Sequence, residues 1–303
     1  MITNQFISPH SLLQPFVSNY ILATSNGLDI AFTSHWAASN EVCFTFYLAN
    51  QPNHKNNNED SILSGKPNCF VGLLTQYNGV IDFKGKYHTF IIQFELNGVN
   101  KIFGLPMYQF ADKIYPAEHV FGKKINELHD QLLNATDIQQ MAFYADEFLL
   151  SVLKQKTKKF ISQDCITFIS EIFSSTTSLL SVPKYASMAN MSVKNFERKF
   201  LEQTGILPKL HMKLLRFSKA IEIKTIHPCK TFTAIAYECD YFDQSHLIKD
   251  FKTFTGLSPK DFFKKDQKLT RPRIDIKQSS EFTFKQLNNQ LLDEQFVLVK
   301  RTK

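Results

Sequence analysis

The spacing of apolar residues changes character twice along these 303 residues. Up to about residue 96, short runs rich in Phe, Ile, Val and Thr predict β-strands: "DIAFTSHW", "EVCFTFYLA", "NCFVGLLTQ", "VIDFKG" and "YHTFIIQFEL". "QYNGVI" joins two of them, and its Asn78-Gly79 is a hairpin signal. "QPNHKNNNEDS" at 51–61 is too poor in apolar residues to pack and reads as a polar loop. After Asn97 the spacing turns helical in "FGKKINELHDQLLN", "DIQQMAFYADEFLLSVLKQ" and "DCITFISEIFSS", with Asp137 and Asp164 at N-cap positions. From residue 181 the pattern is almost entirely helical. The last stretch, "KLTRPRIDIKQSSEFTFKQLNNQLLDEQFVLVKRTK", reads as an appended tail whose Arg271-Pro-Arg and "EFTF…FVLV" segments suit pairing as strands.

Residues 239–256, "CDYFDQSHLIKDFKTFTG", predict a helix that opens at Asp243 and stops at Gly256. Leu247, Phe251 and Phe254 fall on one apolar stripe with Ile248 on its shoulder. Gln244, Ser245, His246, Lys249 and Lys252 fall on the opposite face. The segment 192–211, "SVKNFERKFLEQTGILPKLH", aligns with 243–262 without a gap. Phe200/Phe251, Thr204/Thr255, Gly205/Gly256, Pro208/Pro259 and Lys209/Lys260 are identical pairs. A short alanine-bearing helix precedes each copy, "KYASMA" and "AIAYEC", and a tight connection follows it. Helix, turn and second helix with one polar face is the helix-turn-helix pattern. Two copies with matching caps and stops are hard to explain as packing alone.

Charge sharpens this reading. Residues 1–180 hold 12 Lys, no Arg and 15 acids, whereas residues 181–265 hold 15 Lys+Arg and 8 acids. A basic globular segment suits a polyanion. No Lys or Arg precedes Lys55, so a secretory leader is not expected, and no apolar run reaches the length of a membrane span. Five widely spaced cysteines without a CxxC pair fit reduced thiols, and a cytoplasmic location is expected.

At these residues the sequence resembles a known family. "AYECDYFDQSHLIKDFKTFTGLSP" resembles the second helix-turn-helix of AraC-type (AraC/XylS) transcription regulators, and "SMANMSVKNFERKFLEQTGILPK" resembles the first. The resemblance covers about residues 160–265, and the downstream motif is highly specific. ERKF…TG…PK followed by "RFSKA" is similar to a branch with a β-rich N-terminal sensory domain of unassigned ligand. Residues 8–150, from "SPHSLLQPFVSNY" through "VGLLTQYNGVIDF", resemble that domain much less specifically. One departure is Asp240, where the family usually has Gly at a position that needs φ > 0.

The resemblance implies an α+β N-terminal domain at 1–158, a β-rich sheet or barrel with helices for sensing and dimerisation. An all-α DNA-binding domain at 159–265 follows, with two helix-turn-helix motifs joined by a long helix, "LPKLHMKLLRFSKAIEIKTI", whose Leu210, Leu214 and Ile221 point inward. The tail is 266–303. Double-stranded DNA is the implied partner, read in the major groove at two adjacent half-sites about 34 Å apart. Candidate further partners are RNA polymerase, a small-molecule effector and a second copy of the chain; no membrane and no cofactor are expected. Candidate base or phosphate contacts are Lys194, Asn195, Glu197 and Arg198 in the first motif, and Gln244, Ser245, His246 and Lys249 in the second. Gln suits adenine and Lys suits guanine O6/N7. Glu197 either accepts from cytosine N4 or, the favoured reading, pairs with a neighbouring cation. Arg198 in the family touches phosphate or braces the fold. Ser192 and Asp243 are helix caps or phosphate contacts.

No GxSxG, P-loop, GxGxxG, HExxH or HxH is present, so no enzyme is expected. His35, His54 and His88 lie in the β-rich half, where a cupin-like barrel could gather them on a metal, but unconnected histidines more often serve as core or surface. Two other readings stay open: an N-terminal small-molecule enzyme tethered to DNA, and a constitutive DNA-binding protein whose N-terminal half only dimerises.

Overall fold

A computed structural model describes residues 2–55, 66–155, 165–175 and 179–266. Among them, one antiparallel sheet holds β1 (Thr3–Ile7), β2 (Val17–His35), β3 (Val42–Tyr47), β4 (Asn53–Lys55), β5 (Asn68–Val71), β6 (Val80–Phe94) and β7 (Ile114–Pro116). The order is β1-β2-β6-β3-β5-β7, and β4 lies on the distal half of β6.

Alternation decides what each face meets. Phe44, Phe46, Phe70, Phe90, Ile92 and Phe94 point to one side. There they pack on α1 (Gly98–Phe103), α3 (Lys124–Leu133) and α4 (Ile138–Lys154) through Ile102, Leu128, Ala145 and Leu149. Each such side chain taken out of water stabilises the fold by about 1.5–3 kcal/mol. Their neighbours Cys43, Tyr47, Cys69, Val71 and Ile91 point to the other side and form a smaller cluster. That second face is roofed by the sheet itself. The β2–β6 register slips between Thr24 and Asp29, where Asn26 has φ 52° and Gly27 φ 79°. Beyond this bulge the distal strands curl over. A cavity of about 200 Å³ lies beneath, lined by Phe32, His35, Trp36, Tyr47 and Tyr87 among others.

Three sequence expectations change here. "VIDFKG" and "YHTFIIQFEL" are one long strand, β6. Asn78-Gly79 closes no hairpin from β5 to β6, because β5 is already flanked by β3 and β7. It instead closes on the end of β2, where Trp36 N–H donates to Gly79 O and Asn78 N–H donates to Trp36 O, at 2.9 and 2.8 Å. "FGKKINELHDQLLN" is cut at Gly122, φ 74°, into the end of α2 (Ala117–Phe121) and α3. Asp137 does cap α4, accepting from Gln140 N–H at 2.8 Å. Asp164 and the tail from residue 267, with Arg271 and the expected strand pair, lie outside the described residues, as do 56–61 of the polar loop, whose residues 53–55 form β4 instead, with His54 buried.

The rest is helical: α5 (Cys165–Ser175), α6 (Val182–Met188), α7 (Val193–Thr204), α8 (Pro208–Ile226), α9 (Phe232–Glu238), α10 (Gln244–Thr255) and α11 (Pro259–Asp266). α8 is the expected joining helix, about 28 Å long at 1.5 Å per residue. Its Leu214 and Ile221 are buried and Leu210 is half-buried. No helix among the described residues is long and apolar enough to cross a membrane.

Candidate nucleic-acid interface

α6–α7 and α9–α10 form two helix pairs built to one plan. At the stop of each second helix, Thr204 and Thr255 donate their hydroxyls to Phe200 O and Phe251 O at 2.8 and 2.7 Å. Gly205 and Gly256 follow at φ 91° and 72°, a region open to glycine at little cost. Pro208 and Pro259 then open the next helices. The turns match as well. Met191 N–H donates to Ala186 O, and Tyr241 N–H donates to Ala236 O, both at 2.9 Å. Asn190 and Asp240 take φ 54° and 57° at corresponding places, so Asp240 does occupy the left-handed position expected of Gly.

Both caps form. Ser192 Oγ accepts from Asn195 N–H at 3.3 Å and Asp243 Oδ1 from His246 N–H at 2.8 Å. The His246 N–H also holds the Asp243 carboxyl below its usual range. An ionised carboxylate only accepts, so His246, whose Nδ1 lies 2.9 Å from it, carries its proton there and turns Nε2 outward.

Leu247, Phe251 and Phe254 are fully buried. Ser245, His246, Lys249 and Lys252 are exposed and Gln244 is half-buried, its Oε1 accepting from Thr233 Oγ1 at 2.7 Å. Neither Lys249 nor Lys194 makes an ion pair among the described residues. Lys194 is exposed, and Asn195 and Glu197 are half-buried. Glu197 makes no ion pair there either. The pair expected of it belongs to Arg198, which lies 3.5 Å from Glu202 and donates to Asn195 Oδ1 at 3.0 Å. These distances follow from helical spacing, with Asn195 three residues before Arg198 and Glu202 four after.

Several supporting side chains escaped the sequence reading. Asp250 sits on the buried stripe and pairs with Lys213 of α8 at 2.7 Å, fixing α10 to the joining helix. A carboxylate among apolar stripe positions was the available signal, since such a group needs a cation. Arg216 donates to Asp240 O at 3.2 Å and lies over the Tyr241 ring, bracing the turn. Lys230 and Glu238 form a further ion pair across α9, which holds the Glu238 carboxyl below its usual range. Burial pushes the Cys239 thiol up to about 12, so it behaves as a small apolar residue.

The last turns of both recognition helices rest on the N-terminal part. Ala38 N–H donates to Phe254 O at 2.7 Å and Tyr77 N–H to Thr253 O at 3.0 Å. A Cβ on Gly256 would stand 3.1 Å from the Tyr77 ring, and one on Gly205 would stand 2.8 Å from Met107 O. Asn97 Nδ2 donates to Gln203 Oε1 and Thr167 Oγ1, each at 3.0 Å. Tyr77 also meets the cavity wall, its hydroxyl 3.1 Å from His35 Nδ1. His54 Nε2 meets Asn78 O at 2.6 Å. Among the described residues no three His, Cys, Asp or Glu side chains are grouped to hold a metal.

Residues 185–265 match the family described as a helix-turn-helix domain. A 76-residue stretch is 30% identical to the HTH-type transcriptional activator RhaS of Escherichia coli O139:H28 (strain E24377A / ETEC), over 25% of this chain and 27% of the relative. The chain thus matches about a quarter of that relative's length. Crystal structures of ToxT from Vibrio cholerae are similar at 13% identity. The O395 structure has a TM-score of 0.40 over 77% of this chain and 96% of that one, and a 1.65 Å structure has 0.41 over 86% and 97%. Those likenesses are too loose to carry argument. Residues 185–265 therefore hold a helix-turn-helix domain, with paired turns and repeated Thr-Gly stops, that is similar over 76 residues to part of the transcriptional activator RhaS.

Proposed function

We propose that this protein is a sequence-specific DNA-binding transcription regulator, with a sensory region over residues 1–158 and a DNA-binding region over 159–265. One observation carries the DNA reading. α10 buries its whole apolar stripe and leaves Ser245, His246 and Lys249, which makes no ion pair among the described residues, on its open face, the arrangement a helix needs to enter a major groove. Lys194 and Arg198 take the same places on α7. The joining helix α8 fixes the separation of the two, so one chain suits two adjacent half-sites. RNA polymerase and a second copy of the chain are the further partners such a regulator implies.

The cavity supports a small-molecule effector. Its wall carries His35, Trp36, Ala37 and Ser39, and between these Ala38 bonds to α10. His35 reaches Tyr77, whose ring lies against Gly256. A ligand that prefers one placement of this wall shifts how α10 is held, by as much as its affinity differs between placements.

The test is selection of duplexes from a random library by the full-length chain at several salt concentrations. Enrichment of two elements about one helical turn apart is expected. Lys249→Ala should cost roughly 1–3 kcal/mol and relax preference at one position. Salt-dependent binding without enrichment would show a chain that only follows phosphate and would overturn the reading.

A further inference from the structure

The two turns differ by one residue. Measured from the corresponding bonds of Met191 and Tyr241, the first cap, Ser192, follows at once, whereas Phe242 stands between Tyr241 and the second cap, Asp243. This inserted residue is a phenylalanine, and it is 84% exposed. Its ring meets edge-on the ring of His246, on the open face of α10, with centroids 5.8 Å apart. Tyr237, 66% exposed, lies on the same side of the motif, since Thr233 one turn earlier on α9 bonds to Gln244 at the start of α10. Serine replaces Tyr237 at the matching place in the first motif, Ser187.

A large apolar side chain held in water beside a recognition helix carries a hydration cost that burial against a partner would relieve. The neighbours favour DNA as that partner. Phe242 continues the row of Ser245, His246 and Lys249, and the exposed cations Lys249 and Lys252 on the same helix suit a polyanion. The N-terminal residues of a recognition helix are the ones that meet base edges. On the floor of a major groove the thymine C5 methyl is the one bulky apolar group among polar donors and acceptors, cytosine presenting only a C5 hydrogen at that place.

We propose that Phe242 reads a thymine methyl in the second half-site, giving the second motif an apolar specificity contact that the first lacks. This rests on the DNA-binding reading above.

The test uses the full-length chain and the duplex it selects from a random library, with each thymine in turn replaced by deoxyuridine, which lacks only the methyl. The wild-type chain should lose about fourfold in affinity at one position in the second half-site, the worth of one methyl group removed from water. Phe242→Ala should bind the thymine duplex more weakly and lose nothing further with uracil, and Phe242→Leu should restore the discrimination. Phe242 is exposed, so equal thermal midpoints for the three proteins confirm that binding alone has changed. Wild-type affinity for Phe242→Ala, or an unchanged thymine preference, would overturn the proposal and make this patch a protein-binding surface. Failure to enrich any duplex would remove the DNA reading itself, whereas indifference of the wild type to every uracil removes only the Phe242 contact.

Discussion

The two helix-turn-helix motifs end alike and begin differently. Their stops share Thr, Gly and Pro, and the bonds their Thr hydroxyls donate agree to about a tenth of an ångström. Their open faces share little, since Arg198 is tied to its own helix while Lys249 is not, and only the second turn carries an extra aromatic residue. They are also rooted differently. Phe196, Phe200 and Tyr185 of the first belong to a separate cluster with Ile166 and Phe173 of α5, whereas Leu247, Phe251 and Phe254 of the second belong to the large core that runs from the sheet. The common stop is therefore the part that must fit the rest of the chain, and the variable face is the part free to choose a target.

Alanine at the two matched glycines puts this contrast at greatest risk. Gly205→Ala meets a left-handed φ and a backbone oxygen, Met107 O, 2.8 Å from the new Cβ. The φ costs about 1–2 kcal/mol, and the forced shift of a packed backbone costs about as much again. Gly256→Ala meets the same φ penalty, but its neighbour is the Tyr77 ring, a side chain able to turn. Denaturation in urea should show a loss near 3 kcal/mol for the first and nearer 1–2 kcal/mol for the second. Equal losses would mean that the docking of the first stop on Met107 is not rigid.

Acid should weaken the first motif through His211, which has no counterpart in the second, where Phe262 stands. His211 is fully buried between Phe173 and Phe200, and burial alone pushes its pKa down to about 3. The unfolded chain, with a histidine pKa near 6.5, then binds the extra proton between about pH 6.5 and 3, so stability is complete above that window and falls as pH is lowered through it. Between pH 7 and 5 the loss should be roughly 2 kcal/mol. Burial lowers His88 and His129 in the N-terminal part as well, so the comparison is with His211→Leu, which should flatten the profile by that amount. An unchanged slope would place the titration elsewhere.

Much of this was legible in the sequence because helices announce themselves locally. The stripe of Leu247, Phe251 and Phe254, the caps Ser192 and Asp243, and the paired Thr-Gly stops all depend on residues within a few positions of one another. The sheet was readable only as strands. Its order, the curl beyond Asn26-Gly27 and the cavity depend on pairings up to 77 residues apart, such as Val17 with Phe94, which no local pattern encodes. The docking of Ala38 and Tyr77 on α10 was invisible for a different reason, since backbone N–H groups carry it and the side-chain identities leave no mark. Glu197 shows the limit of charge counting. The sequence offers it a cation, but helix geometry gives Arg198 to Glu202 and Asn195.

That last pair yields the smallest effect and the finest distinction between the motifs. Arg198 and Glu202 are both well exposed, so Glu202→Ala should change stability by less than about 0.5 kcal/mol. On DNA the same substitution matters in another way. For Arg198 to reach a phosphate it must leave Glu202, whereas Lys249 has no ion pair to leave among the described residues, so the first motif carries a small internal competitor that the second lacks there. Removing it should tighten binding by no more than about fivefold, because an exposed pair is worth at most about 1 kcal/mol. The salt dependence should also steepen by about one phosphate if the arginine was not fully engaged before. Glu202→Ala that leaves both affinity and salt slope untouched would show that Arg198 braces α7 and never contacts the duplex, and the first motif would then meet phosphate without it.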